Sequence, residues 1–238
     1  MNTGLLASVC TMEEARLVFE AGADIIDLKD PEQGALGALP ADRVRRITAT
    51  IHGRATVSAT IGDLPFTADR IGPAILNMAA AGVDLVKVGV FGDLTDDRVL
   101  QELSTLTGEG IRIVLVLFAE DYRDDIDFSP LGQAAVSGVM LDTRDKQTGP
   151  LRMKLADNDL IRFVRKAGET GLMTGLAGSL SISDVPPLLR TNPDYLGFRG
   201  ALCRKGRRTN RIDGEAVRRM RSLLPQKNEN PLAAAITI

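Results

Sequence analysis

The residues best suited to chemistry are lysines set among carboxylates in short apolar runs. In Ile25-Ile26-Asp27-Leu28-Lys29, Asp27 and Lys29 share one face of an extended chain while Ile26 and Leu28 share the other. The aliphatic face must pack against neighbouring elements, so the aspartate and the lysine point the opposite way. Lys87, between Val86 and Val88, follows the same rule. Met140 and Asp142 share one face of a later run, and Lys146 stands four residues after Asp142. Crowded ammonium groups and a low dielectric both favour the uncharged amine, which serves as nucleophile or base. A lysine amine with carboxylate helpers is the equipment for a Schiff base with an aldehyde or ketone. The plainer reading is a structural ion pair between Asp27 and Lys29, because an unpaired buried charge is costly. A second and a third cation at one place favour chemistry.

Two glycine-rich stretches suit an anion: Gly175-Leu-Ala-Gly178-Ser179 and Gly197-Phe-Arg199-Gly200-Ala201. Glycines let backbone N–H groups approach an anion closely, and Arg199 adds a forked donor. Directly after them, Arg204-Lys205-Gly206-Arg207-Arg208 reads as a solvated basic loop that draws anions to a mouth or seals it.

Residues this far apart meet only if the fold gathers strand ends. The chain alternates strand and helix: strands at 5–9, 25–29, 55–61, 85–91, 111–119, 138–143, 172–176 and 195–199, with helices at 11–21, 41–51, 68–81, 95–106, 130–136, 158–170, 182–191 and 214–224. Eight such units predict an α/β fold, a closed (β/α)8 TIM barrel in a single domain spanning 1–224, followed by a tail at 225–238. Barrel sites lie at the C-terminal strand ends, and loops after strands seven and eight commonly take phosphate. A doubly wound open sheet is the rival, but it usually has a glycine-rich first turn, which Ser8-Val9-Cys10 lacks. Ala21-Gly22-Ala23-Asp24 and Ala81-Gly82-Val83-Asp84 are near copies, each carrying a helix end into the next strand. Thr11 and Glu14 have the spacing of a capping box.

Composition excludes several function classes. Net charge is −2, and there are no tryptophans, so neither a basic field nor aromatic stacking favours nucleic acid as a partner. No apolar run is long enough to cross a membrane, and the first residues lack a signal-peptide pattern, so a cytoplasmic location is expected. Two cysteines suit neither a disulfide framework nor a zinc site. The single histidine, His52, rules out multi-histidine metal sites and reads as a C-terminal helix cap.

These residues carry a resemblance. Ala23-Asp-Ile-Ile-Asp-Leu-Lys-Asp-Pro31 with Gly34-Ala-Leu-Gly37 resembles the opening signature of the (5-formylfuran-3-yl)methyl phosphate synthases, also called 4-(hydroxymethyl)-2-furancarboxaldehyde-phosphate synthases. Val57-Ser-Ala-Thr-Ile-Gly-Asp-Leu-Pro65, Val86-Lys-Val-Gly89, Met140-Leu-Asp-Thr143, Leu176-Ala-Gly-Ser179 and Phe198-Arg-Gly-Ala201 are similar too, in order along nearly the whole chain. Glu120 to Gln133 and the tail show the least likeness.

The resemblance implies a lyase that condenses two molecules of glyceraldehyde 3-phosphate, with loss of one phosphate and two waters, early in the synthesis of methanofuran-type C1 carriers. It implies that Lys29 forms the Schiff base, that Lys87 is general base, and that Asp27, Asp142 and Lys146 assist proton transfers. Gly178, Ser179, Arg199 and Gly200 would hold phosphate. Lys154 competes with Lys146, which stands nearer the strand end. No cofactor and no metal are implied, because the iminium would be the electron sink. The expected partner is a small phosphorylated aldehyde, and a homo-oligomer is the expected assembly. Two other readings remain: a class I aldolase or isomerase for another sugar phosphate, which would release no phosphate, and a catalytically silent barrel.

Overall fold

The structure is a computed structural model, described here for residues 3–145 and 148–225. Eight parallel strands close into a barrel in sequence order: β1 (Gly4–Val9), β2 (Ile25–Leu28), β3 (Thr56–Thr60), β4 (Leu85–Gly89), β5 (Ile113–Phe118), β6 (Gly138–Asp142), β7 (Met173–Leu176) and β8 (Tyr195–Phe198), with β8 pairing back to β1. Helices follow the strands: α1 (Met12–Glu20), α2 (Ala41–Ile51), α3 (Ala68–Ala79), α4 (Asp97–Gly108), α5 (Ser129–Gln133), α6 (Leu151–Lys154), α7 (Asp157–Glu169), α8 (Val185–Leu189) and α9 (Gly214–Leu223). The TIM barrel read from the sequence is therefore the fold. The short α6 was not expected, and most strands stop a residue or two earlier than predicted, where the chain leaves the ladder for the mouth.

Alternation sorts the side chains as the sequence required. Ile26, Leu28, Val86 and Val88 pack outward in the layer between barrel and helices. Leu6, Ile25, Leu85, Val114, Met140 and Tyr195 fill the barrel interior instead. Complete burial on both faces explains the uninterrupted apolar run of β5.

The echoed phrases close the bottom of the barrel. Gly22 and Gly82 take positive φ of +86° and +85°, and the aspartates that follow turn back onto the preceding strand. Asp24 Oδ2 accepts from Leu5 N, and Asp84 Oδ2 from Val57 N, each at 2.7 Å. A third copy is less visible in sequence. Asn192 takes the left-handed turn at φ +57°, and Asp194 accepts from Thr174 N at 2.7 Å. His52 caps α2 as expected, its N–H bonding Thr48 O at 2.7 Å ahead of left-handed Gly53.

Candidate active site

Strands β2, β4, β6 and β7 end on one cavity of about 430 Å³ at the C-terminal mouth, lined by Lys29, Lys87, Asp142, Gly178 and Ser179 among others. Asp27 lies just beneath it and is fully buried. The Ser8 hydroxyl donates to Asp27 Oδ2 at 2.8 Å, and the Ser58 hydroxyl donates to Oδ1 at the same distance. Lys87 Nζ donates to Oδ1 at 3.0 Å. Ser8, Asp27 and Ser58 sit at one level, in register across β1, β2 and β3. Burial alone would raise the carboxyl pKa, but Lys87, Lys29 and the two hydroxyls overcome it and hold Asp27 below the ordinary aspartate value. Asp27 is thus a firm carboxylate, able to orient an amine.

Lys29 follows the last residue of β2, its N–H bonded to Val9 O at 2.9 Å. Its side chain is nearly buried, and Nζ lies 3.6 Å from Asp142 Oδ2 at the end of β6. Asp142 Oδ1 accepts from Thr143 N at 2.7 Å, which fixes the carboxylate. The close ion pairs therefore differ from the Asp27–Lys29 pair read from the sequence. Asp27 binds Lys87 on β4, and Lys29 faces Asp142 on β6. Each contact joins strands two or more positions apart, so two lysines and two carboxylates converge from three strands. An amine with a fixed carboxylate beside it and a second amine nearby has what imine formation and proton transfer need.

Of the other proton-transfer candidates, Lys146 lies outside the described residues. Lys154, its competitor, is bound to Glu120 Oε1 at 3.2 Å and does not line the cavity.

The glycine loops lie where the sequence placed them. Gly178 has φ +109°, and a side chain there would approach Thr143 N to 3.0 Å and Cγ2 to 2.8 Å. Ser179 continues in left-handed backbone at φ +50°, a conformation costing a non-glycine residue about 1–2 kcal/mol. Such consecutive turns make the concavities in which backbone N–H groups receive anions. Leu151 N anchors the loop by bonding Gly178 O at 2.9 Å, which is the work of the unexpected α6. Gly200 lines the cavity from the short 3-10 turn Gly200–Leu202.

Arg199 requires a correction. It borders the cavity, but every nitrogen of its guanidinium is committed to the protein. Nη1 meets Glu14 Oε2 at 2.6 Å and Ser8 O at 3.1 Å. Nη2 meets Glu14 Oε1 at 3.2 Å and Asn210 O at 3.3 Å, and Nε meets Arg208 O at 2.8 Å. Glu14, read as half of a capping box, spends its carboxylate on this pair and on Cys10 N at 3.0 Å, while Thr11 does cap Glu14 N. The arginine that the sequence reading passed over is Arg208, half-buried and lining the cavity. Nothing in the run Arg204–Arg208 distinguishes it by residue type. Among the described residues no cluster of three histidine, cysteine or acidic side chains could hold a metal, and no helix is long and apolar enough to cross a membrane.

Comparison with known proteins gives these residues a context. The model of the family described as 4-HFC-P synthase matches residues 5–221. A Methylorubrum extorquens protein, provisionally named for a (5-formylfuran-3-yl)methyl phosphate synthase, is 46% identical over 213 residues, covering 90% of this chain and 88% of its own. The (5-formylfuran-3-yl)methyl phosphate synthases of Methanosarcina barkeri and Methanopyrus kandleri are each 34% identical, over 91% and 94% of this chain and 97% and 100% of theirs. Among solved structures, a 3-hexulose-6-phosphate synthase superposes with a TM-score of 0.65 at 18% identity, covering 94% of this chain and 100% of its own. The phosphoribosyl anthranilate isomerase of Thermus thermophilus gives 0.64 at 14%, over 99% and 100%. At that identity the structural likeness speaks for the fold.

Proposed function

The chain belongs to the 4-HFC-P synthase family, and we propose that it joins two molecules of glyceraldehyde 3-phosphate into (5-formylfuran-3-yl)methyl phosphate through a Schiff base on Lys29. The observation that carries this reading is the placement of Lys29 Nζ in the cavity, 3.6 Å from the fixed carboxylate of Asp142.

The chemistry follows from the amine. Lys29 Nζ adds to the aldehyde carbon, and loss of water from the carbinolamine leaves an iminium. The iminium withdraws electrons from the neighbouring C–H, so a base can remove that proton and leave a carbon nucleophile. In this reading the neutral form of Lys87 takes that proton, and the Asp27 carboxylate 3.0 Å away stabilises the ammonium that results. Asp142 carries protons to and from the Lys29 nitrogen. A new carbon–carbon bond to the second aldehyde, loss of one phosphate and two dehydrations complete the furan, and hydrolysis of the iminium takes back the water its formation released and frees Lys29. The atoms balance: two three-carbon phosphates give one six-carbon phosphate, one phosphate and two waters. Gly178, Ser179 and Gly200 receive phosphate on backbone N–H groups.

The experiment mixes purified protein with glyceraldehyde 3-phosphate alone and records near-ultraviolet absorbance beside free phosphate. A furan band rising with one phosphate for two substrates consumed is the expected result. An open-chain product without phosphate release favours an aldolase or isomerase instead.

A further inference from the structure

Arg208 is the cavity cation that the chemistry above leaves unused. It belongs to the run Arg204-Lys205-Gly206-Arg207-Arg208, whose members are alike in sequence but not in place. Arg204, Lys205 and Arg207 are exposed, whereas Arg208 is half-buried and lines the same cavity as Lys29 and Pro31. One of its N–H groups reaches across the mouth to Gly34 O in the loop after β2, at 3.4 Å. That is long for a hydrogen bond. Arg208 forms no ion pair among the described residues. The charged groups facing it are Asp142, Asp30 and Asp63, at longer range, and Arg199. A guanidinium carries five donors, and leaving most of them half-buried without acceptors is unfavourable. Burial, together with repulsion from Arg199, pushes its pKa below the usual arginine value.

Arg199 explains why this cation stands where it does. Its Nε holds the carbonyl of Arg208 at 2.8 Å and its Nη2 holds that of Asn210 at 3.3 Å, while Glu14 anchors it from α1. The backbone on both sides of residue 209 is tied to one buried ion pair. The Arg208 side chain is thereby aimed over the mouth.

The geometry points to Arg208 as the guanidinium that recognises a phosphate monoester on the substrate, with Arg199 and Glu14 as positioning residues. A phosphate dianion offers acceptor oxygens that match the guanidinium fork and supplies the missing counter-charge. This inference rests on the reading that the substrate is phosphorylated, and it assigns Arg208 the part that sequence gave to Arg199.

The test titrates the full chain with inorganic phosphate at constant ionic strength, set with chloride, and reads affinity from thermal unfolding. Wild type, Arg208→Gln, Arg208→Lys and Arg199→Lys are compared. Phosphate is expected to bind wild type, and to bind Arg208→Gln roughly tenfold more weakly or worse, with its circular dichroism and unliganded Tm unchanged. Arg208→Lys keeps charge without the fork and should fall between them. Arg199→Lys should weaken phosphate although Arg208 is still present. Equal affinity in wild type and Arg208→Gln overturns the proposal, as does a wild type that binds no phosphate. Unchanged affinity in Arg199→Lys overturns the positioning role. Furan formation is not read in this assay, so the synthase reading can fail while the phosphate result stands.

Discussion

Asp27 Oδ1 and Lys87 Nζ lie 3.0 Å apart beneath the barrel mouth, on strands separated by β3, and both side chains are almost wholly buried. Ser58 on the intervening strand donates to the same oxygen. A buried ion pair adds little stability over an apolar core, but removing one partner strands the other. Here the pair fixes an amine at a defined height in the cavity, where the proposed chemistry uses it.

Asp27→Asn should therefore cost about 3–5 kcal/mol of stability at neutral pH, because Lys87 loses its counter-charge in a dry site. Urea unfolding at pH 7 measures it. The acid side gives a second check. The folded pKa of Asp27 is depressed, so its contribution is complete above the unfolded value of about 3.9 and is lost as pH falls through the folded value. Wild type should lose stability in that acid window more steeply than Asp27→Asn.

Glu14→Gln removes the charge that holds Arg199. The Arg199 guanidinium then sits buried with carbonyls but no carboxylate, and stability should fall by about 3–5 kcal/mol. The loop carrying Arg208 should loosen with it. Hydrogen exchange of residues 199–211 is expected to quicken in the variant while the strands stay protected.

The Cys10 thiol should be inert in the native protein. Burial first, and then the neighbouring Glu14 carboxylate, push its pKa up to about 11, leaving roughly one thiolate in a thousand at pH 8. Iodoacetamide labelling at pH 8 is expected to be far slower in the folded protein than in the unfolded one. Glu14→Gln should speed labelling of the folded protein.

Gly178→Ala places a Cβ within 3.0 Å of Thr143 N at φ +109°. The loop must shift, at a cost of about 1–3 kcal/mol. Its main effect should be a raised KM for the phosphorylated substrate, with no comparable change in trapping of unphosphorylated glyceraldehyde.

The barrel was legible because local patterns suffice for it. Ile26 and Leu28 on one side of β2 fix where Asp27 and Lys29 point, and glycine followed by aspartate marks the bottom turns. The cavity residues Lys29, Lys87 and Asp142, with Asp27 beneath them, were visible for the same reason, as polar positions at the ends of apolar strands. Their partners were not. Asp27 and Lys29 are neighbours on one strand face, yet the contacts run to Lys87 and Asp142, and barrel closure decides that choice. The commitment of Arg199 to Glu14 escaped because sequence shows a charge but not its counter-charge. Glu14 is 185 residues from Arg199 and looks like an ordinary capping glutamate. Helix α6 escaped because four residues carry no periodicity.

The most direct measurement is borohydride trapping. Protein is incubated with glyceraldehyde 3-phosphate, reduced, and analysed by intact mass and peptide mapping. A single adduct on Lys29, absent from folded Lys29→Ala together with all turnover, is the expected result. An adduct on another lysine, or near wild-type turnover in Lys29→Ala, contradicts the Schiff-base assignment.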